Sequence, residues 1–348
     1  MSPTADRPHK LRRIVDILDA RGADSIALTQ PENLAWFFDG ARTGVPYGGP
    51  AVFSAVIHRD GTAVVSALEN EVDRLGTEEI SGAEIRPVPW YSDLSSTDEE
   101  PLSDTEVTAE LRRARATLLP VERERYRVLG RDAAAAMTQA LQQARPSQSE
   151  RELAADLARA IIATGADPSV ILIAGESRGV IQHPLPTRAA LGDRAMAVVT
   201  AKRHGLHVSL TRWVRFRGSA SAAERAILEV EADAFAATRP GRRLGDVLAD
   251  IAASYESHGF GTAERPAWRA HHQGGPTGYL GRDPKASPDS TVEIMPGGAF
   301  AWNPWVPNTK IEDTVIIDHD SVDVLSSDPS WPTIDVRGVR RPTTLDLS

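Results

Sequence analysis

The chain holds nine histidines and no cysteine. Without thiols it can form no disulfide, thiolate nucleophile or cysteine-held zinc. Imidazole is then the natural carrier of protons near neutral pH. His183 lies in Gln182-His183-Pro184, with Pro186 close behind. It is either a proton carrier or a loop histidine packed among prolines. His271 and His272 open the run HHQGGPTGY, which ends at Tyr279. Gly274, Gly275 and Gly278 permit close approach of backbone to a ligand, and they equally permit a tight turn. In that setting His272 is a second acid/base or donor, or a histidine satisfied inside the turn. His271 is a site residue or a surface neighbour. The phenol of Tyr279 can donate to a developing oxyanion.

Other residues could supply binding. Side chains alternate along a strand, so in residues 206–214 His207, Ser209 and Thr211 share a face. The run Lys202-Arg203-His204 offers positive charge suited to a substrate carboxylate, or is a solvated basic turn. Lys310 stands two residues before Glu312 as an ion-pair partner. Trp302 and Trp305 flank Asn303. Trp302 reads as core, while Trp305 is core or a pocket wall. Arg42 and Tyr47 lie in the glycine-rich loop GARTGVPYGGP.

These residues need elements to hold them. The chain has 348 residues, 41% hydrophobic and 25% charged, an ordinary globular balance, and two domains are expected from the length. The net charge of −9 argues against nucleic acid or an anionic membrane as a main partner. Residues 1–13 are polar, with no apolar run suited to a signal or span, so a cytoplasmic location is expected. Apolar spacing predicts a helix over 8–22, ended by Gly22. Strands follow at 25–29, 51–57 and 62–66, then a helix at 69–75. The acidic stretch 92–106 reads as a solvated loop. Helices are predicted at 121–144, 221–237 and 244–258. Another runs to about 164, opened by capping-box spacing in Ser147-Gln148-Ser149-Glu150. Strand-like runs fall at 169–174, 195–200, 206–216, 298–302 and 313–318. The second part therefore reads as α+β behind a smaller α/β domain.

Four segments in order carry a family resemblance: residues 23–39 (ADSIALTQPENLAWFFD), Gln182-His183-Pro184 with 199–212 (VTAKRHGLHVSLTR), 271–279, and 300–314 (FAWNPWVPNTKIEDT). Together they resemble the creatinase, prolidase and aminopeptidase P superfamily over nearly the whole chain. The resemblance implies a creatinase-like α/β domain over 1–118 and a pita-bread domain over 119–348. Metallopeptidases of this family hold two divalent ions with two Asp, one His and two Glu. The matching positions here are Thr200, Ser209, His272, Asn303 and Glu312. Three carboxylates are thus replaced by neutral groups, and no tightly bound metal pair or other cofactor is expected.

Creatinase has this fold and cleaves a C–N bond without metal. The resemblance therefore implies His183 as general acid/base, Glu312 as its carboxylate partner, and His272 with Tyr279 as electrophilic donors. Substrate contacts are expected from Arg42, Tyr47, Lys202, Arg203, His204, His207, Ser209, Thr211, His271, Asn303 and Trp305. The expected substrate is small and polar, carboxylate-bearing or peptide-like. A homodimer is implied, with the 40–50 loop reaching the partner's site. Two other readings stay open: a non-catalytic binding protein derived from the fold, and a lyase, cyclase or isomerase step in the same pocket. A dinuclear Xaa-Pro metallopeptidase fits the missing carboxylates least.

Overall fold

In the computed structural model, residues 6–94, 100–319 and 321–348 are described. The chain divides into two compact units. One is Met1–Val121 with Arg203–Leu206, the other Glu122–Lys202 with His207–Ser348.

The first unit has helix α1 (Arg7–Arg21), strand β1 (Ser25–Leu28), α2 (Pro31–Phe37), and strands β2 (Phe53–His58) and β3 (Ala63–Leu68). The turn α3 (Val72–Arg74), strands β4 (Glu84–Val88) and β5 (Leu102–Ser103), and helix α4 (Thr108–Ala116) follow. The sheet order is β4-β3-β2-β1-β5. Alternate residues of β2 and β3 are buried, as a sheet with one face on a core requires. Gly22 closes α1 at φ 64°, a conformation that glycine takes without strain.

The acidic stretch corrects the loop expectation at its far end. Residues 95–99 lie outside the described residues, but Asp104 is buried. Its carboxylate accepts from the backbone of Thr29 (2.8 Å) and Gln30 (2.9 Å) and from Asn33 (2.8 Å). It satisfies amides at the start of α2 that would otherwise lack partners.

The second unit opens within α5 (Pro120–Gln142), at Glu122, and continues into α6 (Glu150–Ala163). Strands β6 (Asp167–Gly175), β7 (Arg194–Arg203) and β8 (Leu206–Arg215) come next, then α7 (Ala222–Ala237) and α8 (Leu244–Ser257). A run of strands follows: β9 (Gly274–Thr277), β10 (Gly298–Trp302), β11 (Trp305–Val306), β12 (Thr309–Lys310), β13 (Asp313–Ile317), β14 (Val322–Val324), β15 (Thr333–Val336), β16 (Val339–Pro342) and β17 (Leu345–Asp346). One sheet is ordered β17-β8-β7-β6, another β14-β13-β10-β9. Phe300, Trp302, Val315 and Ile317 from the second sheet pack on Phe235, Val247, Ile251 and Tyr255 of α7 and α8. Trp302 is core, its indole N–H donating to Thr238 (3.0 Å).

The capping box of α6 sits two residues later than the sequence suggests. Ser149 is the N-cap and Glu152 its partner. That frees Glu150, which is buried and used elsewhere. Among the described residues no helix is long and apolar enough to cross a membrane.

Candidate functional site

β7, β8, β9 and the approach to β13 bring polar side chains together in the second unit. Thr211 bridges Glu312 across a single antiparallel pair, its N–H donating to the Glu312 carbonyl (2.9 Å). Next along β8, the Thr314 hydroxyl stands in for backbone pairing. It accepts from Ser209 N (2.8 Å) and donates to Ser209 O (2.9 Å). Alternation then directs Ser209, Thr211 and Glu312 to one region. Thr211 Oγ1 donates to Glu312 Oε2 (3.2 Å), and the Thr200 and Ser209 hydroxyls lie 2.9 Å apart.

Glu312 is buried beside two cations. Lys310 Nζ lies 3.3 Å from Oε2, and Arg282 Nη2 donates to Oε1. Arg282 also reaches Ser209 Oγ at 3.5 Å. Burial pushes the carboxyl up, but Lys310 and Arg282 outweigh it and hold Glu312 at about 2. It is ionised at any working pH.

The histidines arrive from two directions. His271 and His272 follow a tight turn (Ala267–Ala270) and lead into β9, which pairs antiparallel with β10. Gly274 is needed there. It has φ +106°, and a Cβ would stand 2.0 Å from the Ala301 carbonyl oxygen. Gln273 locks the segment: its side-chain Nε2 donates to the His271 carbonyl (2.7 Å), and Tyr255 donates to its Oε1 (2.8 Å). His183 comes from the loop after β6. Both ends of that loop are held by Glu150, which accepts from Gly175 N (2.9 Å), Thr187 N (2.9 Å) and Thr187 Oγ1 (2.7 Å) and pairs with Arg178.

His183 Nε2 and His271 Nε2 are 3.2 Å apart, and His271 Nδ1 is 2.5 Å from the His272 carbonyl. His271 and His272 stack at 4.4 Å, and Trp305 lies over His271 at 6.4 Å. A carbonyl only accepts, so His271 carries its proton on Nδ1. A neutral His271 then accepts at Nε2, which assigns the His183 proton to Nε2 and leaves His183 Nδ1 with a lone pair. All three rings are held neutral. Burial lowers each; Lys310 and Lys285 add to the effect on His183. His271 falls to about 4, through burial and then Lys310. His272 falls to about 3, through burial, His271 and Arg282. Among the described residues, the charged side chains with the largest effects on the rings are Arg282, Lys285 and Lys310, which are cations, and the anion Glu312. Among the described residues, the buried Nδ1 of His272 and Oδ1 of Asn303 have no partner.

Other expected site residues fall elsewhere or are committed. Among the described residues, Glu312 hydrogen-bonds Thr211, Arg282 and Lys310 rather than His183. Its expected role as the direct partner of His183 is corrected to that of a nearby charge. Tyr279 donates to the buried Glu122 (2.7 Å), so its hydroxyl proton is already used. His207 N and Nδ1 both face the Gly278 carbonyl (2.8 and 3.2 Å), placing it at the turn. Arg203 and His204 belong to the first unit, where His204 sits at φ 51° against Gly40. Lys202 ends β7. Arg42 pairs with Glu78 and Glu79 in the first unit, and Tyr47 is exposed there. The positive charge at the site is supplied by Arg282, Lys285 and Lys310. Of these only Lys310 is marked by its place in the sequence, two residues before Glu312. Arg282 stands three residues beyond Tyr279 with no spacing signal to mark it.

A cavity of about 260 Å³ is lined by Thr211 and Lys310 of this cluster together with Trp213, Arg215, Glu224 and Thr343. The three histidines do not line it.

The sequence pattern of metallopeptidase family M24 matches residues 124–319. Solved structures with the same fold include the prolidase from Pyrococcus horikoshii OT3, with TM-score 0.73, 16% identity, and coverage of 92% of this chain and 98% of that one. The Xaa-Pro dipeptidase from Bacillus anthracis has TM-score 0.74 and 16% identity, over 98% of this chain and 100% of that one. The N-terminal domain of FACT complex subunit SPT16 from Cicer arietinum (chickpea) has TM-score 0.66 and 13% identity, over 92% and 97%. No curated protein matches the chain in sequence.

Held against the ligand set of two Asp, one His and two Glu, the residues do not fit a two-ion centre. One carboxylate remains in the five positions, against a metal charge of about +4. That carboxylate is already neutralised by Lys310 and Arg282, and the Thr200 and Ser209 hydroxyls satisfy each other.

Proposed function

We propose a function from the premise that this chain belongs to metallopeptidase family M24 and has the pita-bread fold of the creatinase, prolidase and aminopeptidase P superfamily. It is a hydrolase that cleaves a C–N bond in a small, carboxylate-bearing substrate without the paired ions of its family. The observation that carries the reading is the ordered imidazole chain. His271 donates to a backbone carbonyl, His183 donates to His271, and His183 Nδ1 is left as a base on a ring kept neutral.

In this mechanism His183 Nδ1 takes a proton from water as the oxygen attacks the carbon of the C–N bond. His271 holds the resulting imidazolium through its Nε2. The same proton passes from His183 to the leaving nitrogen as the bond breaks, restoring the neutral ring. His272 donates from its unpartnered Nδ1 to the oxygen that gains negative charge. Glu312 stabilises the transient positive charge on the imidazoles. Three cations beside one anion favour a substrate with a carboxylate. A lyase or isomerase step would use the same base, and product analysis by mass spectrometry separates it from hydrolysis by the added mass of water. The reading also takes the enzyme as a homodimer, which sedimentation analysis tests.

The test is His183→Ala in a screen of N-substituted amino acids and short peptides. Turnover should fall about 10²- to 10⁴-fold with the thermal unfolding curve unchanged. Full activity in the variant removes the mechanism.

A further inference from the structure

We propose that His183, His271 and His272 form a mononuclear site for one zinc-class divalent ion, sharing only His272 with the positions of the family's carboxylate centre. Their ligand atoms all lie within 4.8 Å of one another, and among the described residues no other three His, Asp or Glu side chains gather in this way. The His183 and His271 Nε2 atoms are 3.2 Å apart. Two nitrogens each about 2.0–2.1 Å from a tetrahedral zinc ion stand about 3.3–3.4 Å apart. That pair is therefore already at ligand spacing.

Two further observations point to an ion. His271 Nδ1 lies against the His272 carbonyl. A ring whose far N–H is held by a backbone carbonyl presents a bare Nε2, the usual outer-shell arrangement of a metal-bound histidine. His272 Nδ1 is buried and has no partner among the described residues. An unsatisfied polar atom in a buried site calls for a ligand. Bringing the third ring to ligand spacing requires a movement of about 1.5 Å, and the exposed His183 loop can supply part of it.

Proton balance is simple. On binding, His183 moves its proton from Nε2 to Nδ1, where water can accept a hydrogen bond, so a neutral ring stays neutral. Three imidazoles leave the ion's charge of +2 uncompensated and one tetrahedral position open. Lys285 and Lys310 oppose a bare cation, but they favour an anion in that fourth position, such as chloride, hydroxide or a carboxylate. Imidazole nitrogen selects zinc, cobalt, nickel or copper over magnesium and calcium.

The inference goes beyond the proposed reaction and does not depend on it, because binding is read without substrate. If the acid/base reading holds, an ion on His183 inhibits turnover. The experiment is equilibrium dialysis of the chelator-stripped full chain against zinc and then cobalt, with elemental analysis and visible absorption of the cobalt form. One ion per chain is expected, with the intense visible bands of four-coordinate cobalt. His183→Ala, His271→Ala and His272→Ala should each weaken binding at least about tenfold, while His258→Ala leaves it unchanged. Circular dichroism melts show whether each variant folds, and His183→Ala on its exposed loop provides the decisive case if the other two do not. Absence of a stoichiometric ion, binding that survives His183→Ala, or two ions per chain overturns the proposal.

Discussion

Glu312 and Asp313 are adjacent, yet the pleat sends them into opposite surroundings. Asp313 is buried and accepts from Arg212 (2.8 Å), Arg341 (2.6 Å) and Ser326 (2.5 Å). Arg341 also binds Glu231, so two guanidiniums meet two carboxylates, with Glu231 Oε1 left without a partner among the described residues. Glu312 faces Lys310 and Arg282, with Lys285 acting on the rings beside it, and cations outnumber the anion. Among the described residues, His272 Nδ1 and Asn303 Oδ1 are also buried without a partner. The first group is arranged as a protein interior must be, with charge matched by charge. The second carries excess charge and unused hydrogen-bonding capacity, which a ligand can use.

The comparison can be broken at either end. Among the changes that test this comparison, the largest effect on turnover should come from Glu312→Gln, which neutralises the anion acting on the histidines. Turnover should drop about 100-fold or more, read as kcat rather than KM. If only the unfolding temperature falls, Glu312 is structural and the two regions are alike. On the other side, Arg341→Met leaves Asp313 and Glu231 underpaired. It should cost about 3–5 kcal/mol in denaturant unfolding, with turnover per folded molecule preserved.

A pH series sharpens the contrast in the chelator-stripped protein. The rings of His271 and His272 have folded-state values of about 4 and 3, below an unfolded value of about 6.5. The folded state thus binds fewer protons than the unfolded one across that interval. Stability should be full above pH 6.5 and decline as pH falls toward 4. His271→Asn should flatten the decline, and an unchanged slope would assign it to other groups. The smallest effect is expected from Tyr279→Phe. Losing its bond to Glu122 should cost about 1 kcal/mol and alter turnover less than threefold. A collapse of turnover would restore the phenol to the reaction.

The sequence made most helices and the long strands legible because their apolar residues recur with helical or alternating period. The run 298–302 matches β10 (Gly298–Trp302), and Gly22 ends α1 as expected. β4 escaped because it is largely exposed and carries no alternating apolar pattern. α4 escaped because only Leu111 and Arg115 are buried among its polar residues. At the site, strand alternation puts Ser209 and Thr211 on one face, and only the family resemblance joins Ser209 to Glu312. The cations could not. Arg282 and Lys285 are brought in by the reversal of chain after β9, and nothing local in the sequence records that path. The stacking of His271 on His272 was equally hidden, since neighbours on an extended chain ordinarily point apart.

The double grip of Glu150 has a consequence for how this protein could diversify. One carboxylate ties Gly175 to Thr187, so the stretch between them is a loop whose closure is already fixed at its base. Lengthening a closed loop costs little, about 0.6 kcal/mol for each doubling. Insertions between residues 176 and 186 would therefore leave the folded scaffold almost untouched while moving His183. The scaffold and the reach of its imidazole can vary separately, with Glu150 as the joint between them.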